Sequence, residues 1–101
     1  MIKHLVFFKL ADKAEGKTKA ENAVIIKNKL EALTAAIPEI QSLTVHINHP
    51  EASSENYDIV LDSEFKNLND LKTYAEHPEH LKIAAFVGKV RTARAAIDYE
   101  I

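Results

Sequence analysis

The chain of 101 residues contains no cysteine. That excludes a disulfide framework, a thiolate nucleophile and any cysteine-ligated zinc or iron–sulfur centre. Glycine is almost as scarce, since Gly16 and Gly88 are the only two. They cannot form a glycine-rich phosphate loop, so no nucleotide cofactor is expected. No apolar run approaches the ~20 residues of a membrane span, and the first residues alternate as a strand does, with no charged stretch leading into a long apolar one. There is no excess of positive charge either. The 13 basic and 15 acidic residues leave a net charge of −2, and they are spread without the basic cluster or aromatic interleaving of a nucleic-acid surface. These absences predict a soluble, unprocessed, cytoplasmic protein with neither nucleic acid nor membrane as partner.

What is present fits one domain, residues 1–101, of a size at which oligomerisation often supplements the core. Met1 to Leu10 is apolar on both faces, with Ile2, Val6, Phe8 and Leu10 on one side and Leu5 and Phe7 on the other, as in a strand buried on both sides. A polar turn over residues 11–17 precedes Ala23, Ile26, Leu30, Leu33 and Ile37, whose steps of three and four predict a helix from about Thr18 to Ala36. Thr18 and Glu21 have the spacing of a capping box, and Pro38 ends the run. Leu43, Val45 and Ile47 mark a second strand, and Tyr57 to Phe65 a third. Helical spacing resumes over Asn67 to Glu76, breaks at Pro78 and continues to Val87, with Gly88 as the expected stop. Val90 to Ile101 is a last strand in which Ala93, Ala95, Ile97 and Tyr99 share a face.

The order strand, helix, strand, strand, broken helix, strand predicts an α+β, ferredoxin-like β-α-β-β-α-β fold: a four-stranded antiparallel sheet with its helices on one face. The uncovered face would then expose a contiguous apolar patch, which a second copy of the sheet would bury. The expected assembly is a homodimeric α/β barrel with His4, Val6 and Phe8 pointing into its interior.

Three segments resemble the stress-responsive dimeric α/β-barrel (Dabb) family: Ile2-Lys3-His4-Leu5-Val6-Phe7-Phe8-Lys9-Leu10, Tyr74-Ala75-Glu76-His77-Pro78-Glu79-His80, and Ile97-Asp98-Tyr99-Glu100-Ile101. The resemblance spans essentially the whole chain and implies the dimeric ferredoxin-like fold. In a plant polyketide cyclase branch of that family, a strand-one histidine, a tyrosine and the second histidine of the His-Pro-x-His segment serve a cofactor-free aldol cyclisation. The matching residues here are His4, Tyr74 and His80. The resemblance therefore implies either an unassigned protein with a small, partly apolar ligand pocket in each protomer, or a cofactor-independent cyclase-like or monooxygenase-like enzyme acting on an aromatic or polyketide-like compound.

His4 is an ionisable ring on an apolar strand face, where it needs a hydrogen-bond partner or a ligand. With His80 it could form an acid–base pair, and Tyr74 could donate to a developing oxyanion. The alternative is that the two imidazoles satisfy core hydrogen bonds. Val6, Phe8, His77 and Phe86 are the expected ligand contacts, with Ala84, Ala85 and Phe86 shaping the pocket; for His77, capping the short helix after the break is the simpler reading. No metal site is expected. The rings of His77 and His80 belong to different helical frames, while His46 and His49 would fall on opposite strand faces. Asp58, Asp62 and Glu64 form a carboxylate row, for which a solvated strand face is the simpler reading.

Overall fold

A strand apolar on both faces belongs at the centre of a sheet, and β1 (Ile2–Leu10) lies there. The computed structural model describes residues Met1–Ile101, running on through β2 (Lys13–Ala14), β3 (Lys17–Thr18), α1 (Lys19–Glu31), α2 (Leu33–Ala36), β4 (Ser42–Ile47), β5 (Ile59–Phe65), α3 (Leu68–Glu76), α4 (Pro78–Val90) and β6 (Arg91–Glu100). The main sheet has the order β4-β5-β1-β6, with every neighbouring pair antiparallel. This is the expected ferredoxin-like topology. Between the sheet and the helices lies one core, joining Val6, Phe8, Val45, Ile59, Leu61 and Phe65 of the strands to Ile26, Leu30, Leu71, Tyr74, Val87 and Val90 of the helices.

Register decides which face each side chain takes. Val6 pairs with Leu61 and Ala96, and His4 with Ser63 and Asp98, so His4, Val6 and Phe8 face the helices. The expectation that they point into a barrel between two sheets is therefore corrected. The open face instead carries Leu5, Phe7, Val60, Ala93, Ala95 and Ile97. There Lys3 Nζ lies 2.7 Å from Asp62 and 3.1 Å from Glu64, so two members of the carboxylate row hold a lysine. The third, Asp58, accepts the backbone N–H of Leu10 at 2.8 Å. Tyr57 falls outside β5 and packs edge-on against Phe7, their rings 6.0 Å apart.

The helix starts follow the sequence signals. Glu21 N–H donates to Thr18 Oγ1 at 3.2 Å, and Thr18 N–H to the Glu21 carboxylate at 3.0 Å, completing the capping box. Asn67 caps α3 in the same way, accepting the Asp70 N–H at 2.8 Å. Over α1, Lys27 donates to Val45 O at 2.6 Å and Val45 N–H donates to Glu31 at 3.1 Å. Helix side chains thus satisfy backbone groups on edge strand β4, which would otherwise template pairing with another chain.

The ends of elements depart from expectation in three places. The first helix is interrupted at Ala32, and a second short turn carries it to Ala36; Ile37 is extended because the residue before a proline avoids the helical region. Residues 11–17 are more than a turn. They hold the β2–β3 hairpin, whose Glu15 and Gly16 both have positive φ, at 53° and 74°. Helix α4 runs through Gly88 to Val90, because Val87 and Val90 are buried and their burial outweighs the ~1 kcal/mol by which glycine disfavours a helix.

Candidate functional site

Pro78 has no N–H, so it cannot continue the hydrogen-bond ladder of α3. His77 becomes the cap of α4, its Nδ1 accepting the N–H of Glu79 at 3.1 Å. That commitment removes the helical partner of the Ala75 carbonyl, and His80 takes the vacancy, its Nδ1–H donating to Ala75 O at 3.0 Å. The tautomer follows, since a neutral ring with its proton on Nδ1 presents a lone pair at Nε2. Burial is the main effect on this imidazole and holds its pKa below the ordinary histidine value. The hydrogen bond to the Ala75 carbonyl works the other way, and repulsion of the protonated ring by Arg94 and by His4 and His77 when charged adds smaller lowering effects. His80 is therefore neutral at pH 7.

Strand pairing supplies the second imidazole. His4 and Asp98 are cross-strand partners on β1 and β6, and His4 Nδ1–H donates to the Asp98 carboxylate. A carboxylate on Nδ1 fixes the ring and its tautomer, again leaving Nε2 free. Tyr74 comes from α3, one helical turn after Leu71. Its ring centre is 4.5 Å from that of His80, 6.4 Å from that of His4 and 5.0 Å from that of Phe65. Tyr74 is only 1% exposed, and its hydroxyl has no hydrogen-bond partner. Burial pushes the phenol pKa well above its usual range, so the group is neutral and a donor.

These three side chains border a cavity of about 310 Å³ between the helix-side face of β1 and β6 and the α3–α4 break. Val6, Phe8, Leu61 and Leu71 line its apolar part, and His80, Ile83, Ala84 and Val87 form one stripe of α4 along it. The mouth opens along β6, where the lining residues Arg91, Arg94 and Asp98 are exposed. His4, Tyr74, His80, Val6 and Phe8 are thus brought together. Two expected ligand contacts are not. His77 is turned to the α4 cap, and Phe86 lies outside the α4 stripe, packed against the core.

Residues 2–101 match the stress responsive A/B barrel domain family. The chain belongs to that family. It is 31% identical over 83 residues to a stress-response A/B barrel domain-containing protein of Arabidopsis thaliana, an alignment covering 82% of this chain and 30% of that protein. Among solved structures it is similar to a dimeric protein of unknown function with a ferredoxin-like fold from Bacteroides fragilis, at 36% identity and TM-score 0.79, covering 99% of this chain and 95% of the other. A dimeric ferredoxin-like protein from Thermobifida fusca shares the fold at 21% identity and TM-score 0.82, covering 99% and 90% of the two chains.

The sequence reading missed Asp98, Arg91 and Arg94. For two of them a signal existed. If Ala93, Ala95, Ile97 and Tyr99 share the open face, alternation sends Arg94 and Asp98 to the other, beside His4. Arg91 breaks that alternation, and only the structure gives the reason, an irregularity where β1 and β6 pair at Lys9 and Leu10.

Proposed function

We propose that the protein is a homodimer whose protomers each bind a small, partly apolar molecule in the cavity beside the helix break, with His4, Tyr74 and His80 as its polar groups. The observation that carries this reading is the Tyr74 hydroxyl, a buried donor with no partner on a residue that lines a cavity. An unmet buried hydroxyl costs about 1–3 kcal/mol, and an incoming acceptor would relieve that cost. At about 310 Å³ the space matches the lower end of ligand pockets. A ligand held mainly by its apolar body and oriented by three polar groups fits this lining. Dimerisation is supported by the apolar open face of the sheet and by the dimeric state of the Bacteroides fragilis and Thermobifida fusca relatives.

The test is a fragment screen by thermal shift on the parent protein and on Ala84→Phe, which places a ring in the cavity from the α4 stripe. The expected outcome is a set of aromatic or short acyl fragments that raise the parent melting temperature by several degrees and leave the variant unmoved. Equal shifts in both proteins would remove the cavity as the binding site.

A second reading rests on the two free Nε2 lone pairs. A neutral His80 could take a proton from a carbon acid next to a carbonyl while Tyr74 donates to the developing enolate oxygen. The His80 imidazolium so formed could return that proton at another carbon, while His4, held by Asp98, accepts a hydrogen bond from the substrate at its free Nε2. This is the arrangement of a cofactor-independent cyclase-like or isomerase-like enzyme, and single-turnover loss of a fragment's α-deuterium in parent but not His80→Ala protein would distinguish it from binding alone.

A further inference from the structure

We propose that the molecule the cavity accepts is an organic carboxylate, its apolar body against Phe8, Leu71, Ile83 and Val87 and its charged head on Arg91 and Arg94. This rests on the pocket reading above and specifies its ligand class.

The chain has two arginines, and both line this cavity; every other fixed cationic side chain is lysine. Arginine differs from lysine in carrying a planar fork of donors that fits a carboxylate bidentately. Neither guanidinium is used internally. Every ion pair in the protein draws on a lysine, His4 or the N-terminus, despite 15 acidic residues in the chain.

Their placement requires a local departure from regular strand geometry. Residues three apart in a strand point to opposite faces, yet Arg91 and Arg94 share the helix side. Leu10 pairs with Arg91 and Lys9 with Ala93. Thr92 is thus the extra residue of a bulge, and the bulge turns Arg91 to the face that Arg94 already occupies. Bulges re-aim side chains in this manner beside binding sites.

Charge narrows the class further. The lining holds two guanidinium groups and one carboxylate, Asp98, which is already bonded to His4. The single excess positive charge, next to a neutral His80, suits a monoanion such as a carboxylate better than a phosphate dianion. The register gives the dimensions: Arg94 sits opposite Phe8 and Asp98 opposite His4, four residues apart, or about 13 Å along the strand. Only Ala96 lies between them on that face of β6. A cavity of about 310 Å³ has the liquid volume of about ten waters. It therefore holds a body of roughly ten to twelve non-hydrogen atoms, with its head at the arginines and its other end toward the unpartnered Tyr74 hydroxyl.

The test is isothermal calorimetry at low salt with 4-phenylbutanoate and its neutral isostere 4-phenylbutanamide. The expected result on the parent protein is at least tenfold tighter binding of the acid. Arg94→Gln or Arg91→Gln should each erode that preference, and Lys72→Gln, removing an exposed charge on α3, should keep it. Equal affinity of acid and amide on the parent overturns the carboxylate assignment and leaves the pocket standing. A preference undiminished in both arginine variants overturns it as well. Binding of neither compound overturns the pocket reading and this inference with it.

Discussion

At the scale of single residues, the site is defined by what each polar atom does with its neighbours. His80 is the clearest case, because its proton is placed by a carbonyl that a proline set free. Its folded pKa lies below the unfolded value of about 6.5, so the unfolded chain binds the proton more readily. The sign follows: this residue's contribution to stability is complete above about pH 6.5 and is lost as pH falls toward the folded pKa. Melting temperatures measured from pH 7.5 to 5.5 should therefore fall less in His80→Gln than in the parent protein. A parallel fall in the two would remove the burial effect assigned to His80. The sequence revealed His4, Tyr74 and His80 because an imidazole on an apolar strand and a histidine after a proline break are odd in themselves. Alternation along the last strand puts Asp98 on the His4 side of the sheet, but only the register sets it opposite His4.

At the scale of elements, hydrophobic period and capping chemistry were readable, and endings were not. The capping box at Thr18 and Glu21 is a local signal and needs no tertiary help. Gly88 is the opposite case, a residue that locally favours a stop yet sits inside α4 because Val90 beyond it is buried. A methyl group at this position meets nothing within 4 Å, and the backbone there is helical. Gly88→Ala should therefore stabilise the fold by about 0.5–1 kcal/mol, read as a melting temperature higher by roughly 2–8 °C. A lower melting temperature would mean that the end of α4 needs glycine. The break between α3 and α4 was legible for the reverse reason, since proline's missing N–H acts in any context. The bulge that re-aims Arg91 was not, because it exists only in the pairing of two distant strands.

At the scale of the whole molecule, the helices cover one face of the sheet and leave the other apolar, with Ile97 55% exposed beside Leu5. A four-stranded sheet with such a face gains from a second copy at about 25 cal/mol per Å² of apolar area removed from water. Ile97→Lys should shift the protein from dimer to monomer in light scattering at micromolar concentration, and a parent protein already monomeric there would contradict the assembly. The apolar open face and the face that holds the cavity are different ones, so the proposed dimer interface does not line the site. No helix is long and apolar enough to cross a membrane. The central claim is that the imidazoles of His4 and His80 meet a ligand, and histidine-observed NMR tests it directly because the chain has five histidines. On titration with an aromatic or short acyl carboxylate, the His4 and His80 ring resonances should move together and saturate at one affinity, while those of His46, His49 and His77 stay in place. Five signals that remain still at millimolar ligand, or that drift together without saturating, would contradict it.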